Sequence, residues 1–139
     1  MKILVAADGS KFTAKAIDYL TKHAEQFGGA DVTLFNAHRP IPARAANYLG
    51  RQTVYKYYSE ECDKALNPAR RALKKAGISF DDTWKVGEPG DEIAEYATKN
   101  KFDMIIMGSH GHGVLGNLVL GSVATRVLAR CTVPVLVIR

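Results

Sequence analysis

The chain has 139 residues, 47% hydrophobic and 24% charged, long enough for one domain with a real core and too apolar for disorder. Its net charge is +5, but the basic residues are scattered. The densest group, Arg70-Arg71 with Lys74-Lys75, has helical spacing and no interleaved aromatics, which argues for a solvated face and against nucleic-acid binding, while a modest preference for small anions stays open.

Ile3 to Ala7 is a short continuous apolar run, the pattern of a parallel strand covered on both faces. It ends at Asp8-Gly9-Ser10, a turn in which Ser10 or Asp8 is placed to cap the next helix. That helix carries Phe12, Ala16, Ile17, Leu20, Ala24 and Phe27 at helical spacing and stops at Gly28-Gly29. Val32 to Ala37 reads as a second strand. Residues 39 to about 50 read as irregular, because Arg39-Pro40-Ile41-Pro42 suits neither helix nor strand. A long helix follows, marked by Tyr55, Tyr58, Cys62, Ala65, Ala69, Leu73 and Ala76, with a kink or break expected at Asn67-Pro68.

From Ile78 to Val86 the period changes to two, although Asp82 interrupts the apolar side. One wet face predicts a strand near the sheet edge. Gly87-Glu88-Pro89-Gly90 is a turn with Pro89 suited to a first helical turn, and Ile93, Ala94 and Ala97 mark a short helix. Asp103 to Met107 predicts a fourth strand, Gly121-Ser122 the start of a helix reaching about Arg130, and Val133 to Ile138 a fifth strand. This alternation predicts one α/β domain over 1–139 with a mostly parallel, doubly wound sheet. Pro134 favours an edge, and an apolar edge left bare invites aggregation, so a second copy of the chain is expected to cover Val133–Ile138, the alternative being a helix or the terminus.

Two cysteines, Cys62 and Cys131, lie far apart without C-x-x-C spacing, which suits a reducing compartment rather than a disulfide framework or zinc site. The opening Met1-Lys2-Ile3-Leu4-Val5 lacks a basic segment followed by a long apolar one, and nowhere do about 18 apolar residues run together. The expected location is cytoplasmic, with no membrane span.

The stretch Met107 to Ser122 carries glycines at 108, 111, 113, 116 and 121. Backbone N–H groups there can face a ligand, and the helix opening at Gly121-Ser122 favours an anion. Taken alone, the loop is either a phosphate cradle or a simple turn. Its position decides more: ligands in doubly wound sheets bind outside the carboxyl ends of the strands where the strand order reverses, so the Ala7–Ser10 and Gly108–Gly121 loops are expected to share one crevice.

Gly111-His112-Gly113-Val114-Leu115-Gly116 fits G-x-G-x-x-G, but after the fourth strand and without the acidic residue about 20 positions on. The P-loop lysine and the G-x-S-x-G elbow are absent. What fits is Gly108-x-x-Gly111, nine residues, then Gly121-Ser122. This resembles the nucleotide-binding signature of the universal stress protein family. The likeness covers nearly the whole chain, including Leu4-Val5-Ala6-Ala7-Asp8-Gly9-Ser10, Gly87-Glu88-Pro89 and Val133-Pro134-Val135-Leu136-Val137.

The resemblance implies a Rossmann-like sheet of the adenine nucleotide alpha hydrolase type, in the order 3-2-1-4-5, binding ATP with Mg²⁺ and pairing as a homodimer through the final strands. Carried over, Asp8 lies near the ribose with a weak claim on ATP-bound Mg²⁺, and Ala37 meets the adenine edge. Gly108, Gly111, Gly121 and Ser122 hold phosphates with Val123 alongside, Ala7 and Met107 complete the lining, and Gly113 and Gly116 act as spacers. Ala6, Ala7, Ala37 and Ala124 stand where nucleotide-binding members often carry bulkier or more polar residues. His110 and His112 are candidates to approach phosphate, His38 to border the adenine site, and His23 reads as surface.

No cluster has metal-ligand spacing. Fast phosphoryl transfer needs Lys or Arg near the phosphates, and 108–122 contains neither, so Ser122 is first a phosphate hydrogen-bonder and N-cap and at most slow hydrolysis or autophosphorylation is expected. The reading is therefore a regulatory stress-response protein rather than a fast enzyme, its nucleotide setting the conformation of the glycine-rich loop and of residues 39–57. The alternative is a dimeric interaction module of the same fold that binds no nucleotide. An adenylyl transferase or flavoprotein relative is disfavoured by the lack of a His-x-x-His pair.

Overall fold

A computed structural model describes residues 1–113 and 117–139. Five strands, β1 (Lys2–Ala6), β2 (Asp31–His38), β3 (Phe80–Val86), β4 (Met104–Gly108) and β5 (Val135–Ile138), form one sheet in the order β3-β2-β1-β4-β5. Every pairing is parallel. The five helices are α1 (Lys11–Lys22), α2 (Ala43–Leu49), α3 (Arg51–Lys75), α4 (Pro89–Lys99) and α5 (Ser122–Arg130).

The apolar runs alternate sides, and each side has its own helices. Ile3, Val5, Val32, Leu34 and Ile106 pack with Ala16, Ile17 and Leu20 of α1 and Leu66, Ala69 and Leu73 of α3. Leu4, Ala6, Phe35, Ile105 and Met107 pack with Ile93 and Ala97 of α4 and Ala124 and Val127 of α5. Strands buried on both faces need such runs, which is why β1 and β4 were legible as parallel strands.

Several expectations change. α1 ends at Lys22, so Ala24 and Phe27 lie in the turns that follow rather than in the helix. Residues 43–49 are helical, not irregular: Pro42 precedes Ala43, Ala45 and Ala46, strong helix formers. Gly50 at φ 81° then separates α2 from α3 in a conformation that side-chain-bearing residues avoid.

α3 runs unbroken through Pro68. One ladder bond is lost there, but Leu66, Ala69 and Leu73, all buried, anchor both sides of it to the sheet. β3 is an edge strand as its wet face predicted, and Asp82 is tolerated because Arg70 Nε and Nη2 hold its carboxylate, both at 2.8 Å. β5 is the other edge and is shorter than expected. Its four residues are half-buried, and Pro134, just before it, gives its carbonyl to Ile105 N at 2.8 Å.

Candidate functional site

β1 has β2 on one side and β4 on the other, so the chain leaves the sheet in opposite directions after β1 and β4 and opens a crevice at their carboxyl ends. A cavity of about 480 Å³ lies there, within the size range of small-molecule sites. Its floor is Ala6, Phe35, Ala37 and Met107, and its walls are Pro89 and Ile93 of α4 with Val123 and Ala124 of α5. Small side chains at 6, 37 and 124 leave the room. Arg126 clasps the two wall helices by donating to Asp91 from Nε at 2.7 Å and Nη2 at 3.0 Å, with Arg130 Nε at 3.1 Å from the same carboxylate. The Arg126 bond holds the Asp91 carboxyl below its ordinary range.

The rim comes from the two loops. Asp8 Oδ1 accepts from Ser10 N at 2.9 Å and Thr13 Oγ1 at 2.7 Å, locking the turn after β1. Ser10 caps α1 by accepting from Thr13 N at 3.3 Å. The other carboxylate oxygen faces Gly111, where a Cβ would stand 3.0 Å from it. His112 Nε2 donates to the Asp8 carbonyl at 2.7 Å, joining the loops directly.

The glycine-rich loop is closed at its base by Gly121 N donating to Ser109 O at 2.7 Å. His110 Nε2 donates to Leu118 O at 2.7 Å. That carbonyl can only accept, so the proton sits on Nε2, and Nδ1 accepts from the buried Ser109 hydroxyl at 2.8 Å. A Cβ at 108 has no place, 2.5 Å from Phe12 Cβ, and one at 121 would be tight, 3.1 Å from His110 Cα.

Ala7, Asp8, Ala37, Met107, Gly108, His110, Gly111, Gly121, Ser122 and Val123 all line this cavity, so the two loops share one crevice as the strand order predicted. Ser122 is not the N-cap. Gly121 holds that position, with no side-chain cap, and Ser122 is the first helical residue. The backbone N–H groups at the start of α5 therefore have no side-chain cap among the described residues. His38 does not line the cavity: its Nδ1 donates to Arg39 O at 2.6 Å, and its ring packs against Tyr57 and Tyr58. His23 stacks on Tyr19, half-buried. Gly113 lines the cavity, and Gly116 lies outside the described residues.

Sequence reasoning missed three residues. Arg39 lines the mouth and pairs with Glu88 at 2.8 Å. Ser109 pins the base of the loop. Asn36 is buried and gives Nδ2 to Ala7 O at 2.7 Å, leaving Oδ1 without a partner among the described residues. An asparagine inside the apolar run Val32–Ala37 was the available signal, since such a residue is paired or functional. Among the described residues no three His, Cys, Asp or Glu side chains gather as a metal site.

Fold and crevice together define a doubly wound α/β protein with a glycine-rich loop at its strand switch. The chain belongs to the universal stress protein family, which it matches over residues 1–139. It is 32% identical over 138 residues to a universal stress protein of Thermus aquaticus, covering 99% of this chain and 97% of that one. It is similar to the solved structure of the protein MJ0577 from Methanocaldococcus jannaschii, with TM-score 0.82, 27% identity, and 99% and 94% of the two chains covered. A universal stress protein solved in complex with cAMP superposes with TM-score 0.68 at 25% identity, over 100% of this chain and 96% of that one.

Proposed function

We propose that this chain is a single-domain, cytoplasmic regulatory protein that binds ATP or a related adenine nucleotide in the crevice. The observation that carries the reading is the meeting of Asp8 with Gly111 over a cavity whose far wall is the start of α5, where Gly121 supplies no side-chain cap. Helix N–H groups without a cap favour a phosphate, and the apolar floor of Ala6, Ala37 and Met107 favours a flat base. The relative crystallised with cAMP supports the same ligand class.

The residues fit the nucleotide as follows. Gly108, Gly111, Gly121 and Ser122 would take the phosphates, Val123 and Ala7 would flank them, Ala37 would meet the base, and Asp8 the ribose. His112 stands at the rim, whereas both ring nitrogens of His110 are already engaged within the loop. Mg²⁺ would partly neutralise the phosphate charge. Asp8 offers it one carboxylate oxygen at most, because the other is committed to Ser10 and Thr13. With no Lys or Arg in the 108–122 loop, and with Arg39 at the mouth paired to Glu88, hydrolysis or autophosphorylation would be slow at best.

The functional unit in this reading is a homodimer joined through Val133–Ile138. β5 is an unpaired edge of half-buried Val, Leu and Ile, and Leu128 on the neighbouring α5 is 47% exposed. Paired edges remove that liability.

The test is to purify the protein, release bound small molecules by heat, identify them by absorbance and mass, and titrate ATP by calorimetry. An adenine nucleotide carried through purification, or bound on titration, is expected. An empty protein that ignores millimolar ATP would overturn the reading. Sedimentation equilibrium at micromolar concentration should give twice the 15.2 kDa chain mass.

A further inference from the structure

We propose that α2 and the first two turns of α3 form a docking surface for an acidic, aromatic- or aliphatic-bearing segment of a partner protein. The surface goes beyond the nucleotide site and stands outside its cavity.

Burial is the first observation. No residue of α2 is buried, and from Pro42 to Tyr57 only Ala46 and Val54 are even partly covered. A seven-residue helix that buries nothing has little to hold it, since isolated helices of fewer than about 12 residues are marginal in water. The apolar material on this hairpin is nonetheless large: Tyr48 is 90% exposed, Tyr55 65% and Leu49 44%. Tyr55 rests 5.7 Å from the Trp84 ring on the β3 edge, so its ring is held in place from below.

Charge is the second. Between Arg39 and Ser59 the chain carries four Lys or Arg and no Asp or Glu. Arg44 and Arg51 form no ion pair among the described residues. Arg44 and Tyr48 share one face of α2, and Arg51 and Tyr55 share one face of α3, each pair four residues apart. Tyr48 and Arg51 are separated by only three residues of chain, which spans at most about 11 Å, so the two faces adjoin at Gly50. Tyr, Trp and Arg are the residues that dominate binding energy at protein interfaces.

These features select the occupant. A second copy placed face to face would set Arg44 and Arg51 against their own counterparts. A membrane surface would find one exposed aliphatic side chain, Leu49, and tyrosines in place of an apolar face. A nucleic acid following α3 would meet Glu60, Glu61 and Asp63 at the next turn, a barrier to a continuous polyanion. A protein segment with a few carboxylates and a bulky apolar anchor satisfies both the cations and the rings.

Fluorescence anisotropy with the full chain tests this, using a labelled peptide of about 15 residues containing Glu, Leu and Tyr, and a matched peptide with Gln for every Glu. The Glu peptide is expected to bind at least about tenfold more tightly, and Arg44→Glu with Arg51→Glu to weaken it by about tenfold or more. Tyr48→Ala with Tyr55→Ala should weaken both peptides, with the melting temperature kept. Arg71→Glu with Lys75→Glu, the same charge change further along α3, should leave binding within about twofold. Equal affinity for the two peptides, or no binding of either at millimolar concentration, would overturn the proposal. So would tighter binding to a single-stranded oligonucleotide or to phosphatidylserine vesicles that Arg44→Glu with Arg51→Glu abolishes.

Discussion

His112 Nε2 hydrogen-bonds the carbonyl of Asp8 at 2.7 Å, although 104 residues separate them. The two loops that leave the sheet at its switch point are thereby one mechanical unit. Asp8 is fixed from its own side by Ser10 and Thr13, and the glycine-rich loop is fixed at its base by Gly121 N on Ser109 O. Among the described residues, His112 supplies the side-chain hydrogen bond that crosses from one loop to the other. A ligand entering the crevice meets a rim already shaped, which lowers the ordering cost of binding.

His112→Ala therefore separates loop tethering from folding. The bond is solvent-exposed, and a typical hydrogen bond contributes about 0.5–1.5 kcal/mol net. Nucleotide affinity should fall by about two- to tenfold with the melting temperature nearly unchanged, as read by calorimetry and a thermal melt. A large loss of stability would mean that the tether belongs to the fold.

Gly108→Ala tests the seat of the loop. The added Cβ would lie 2.5 Å from Phe12 Cβ and 2.9 Å from the Phe12 carbonyl carbon, so α1 itself has to move. Overpacking of this kind costs about 1–3 kcal/mol. Urea denaturation should show that loss, and nucleotide binding should weaken with it because α1 carries Thr13, the partner of Asp8.

The sheet and its helices were legible because burial on both faces leaves continuous apolar runs, and because Gly and Pro punctuate them at 28–29, 77 and 87–90. The shared crevice was legible too, since strand order alone brings Asp8 to Gly111. What escaped were features set by tertiary contact. Pro40 and Pro42 made 39–50 look irregular, yet a proline ahead of an alanine-rich segment is compatible with a helix start. Pro68 signalled a break that buried Leu66 and Leu73 prevent. The capping role passed from Ser122 to Gly121 because Gly121 N is tied to Ser109 O, which local composition does not encode. Arg39 was hidden for the same reason: its partner Glu88 is 49 residues away.

The two cysteines should differ sharply in reactivity. Cys62 is buried on α3, and desolvation, with Asp63 and Glu61 nearby, pushes its thiol up to about 11. At pH 8 it remains protonated and shielded, whereas Cys131 is partly exposed at the end of α5. Iodoacetamide at pH 8 followed by mass spectrometry should label one thiol per native chain, at Cys131, and both in denaturant. Rapid native labelling of Cys62 would contradict the packing of α3 on the sheet.

Arg70 and Asp82 give the fold a pH signature on its β3 side. Arg70 donates two bonds to Asp82 and one each to Asp63 and Asn67, all at 2.8–2.9 Å. The hydrogen bonds from Arg70 hold the Asp82 carboxyl below its ordinary range. A carboxylate whose folded pKa is depressed contributes stability above its unfolded pKa, about 4, and loses it as pH falls through the folded value. Asp82→Asn removes the charge but leaves Arg70 its bonds to Asp63 and Asn67, so the cost at pH 7 should be about 1 kcal/mol, toward the lower end for a partly exposed pair. The gap between wild type and Asp82→Asn in urea denaturation should hold from pH 7 to about 5 and close below about 4. A gap unchanged down to pH 2.5 would show that Asp82 acts by shape rather than charge, and that the polar residue interrupting β3 is tolerated for a different reason.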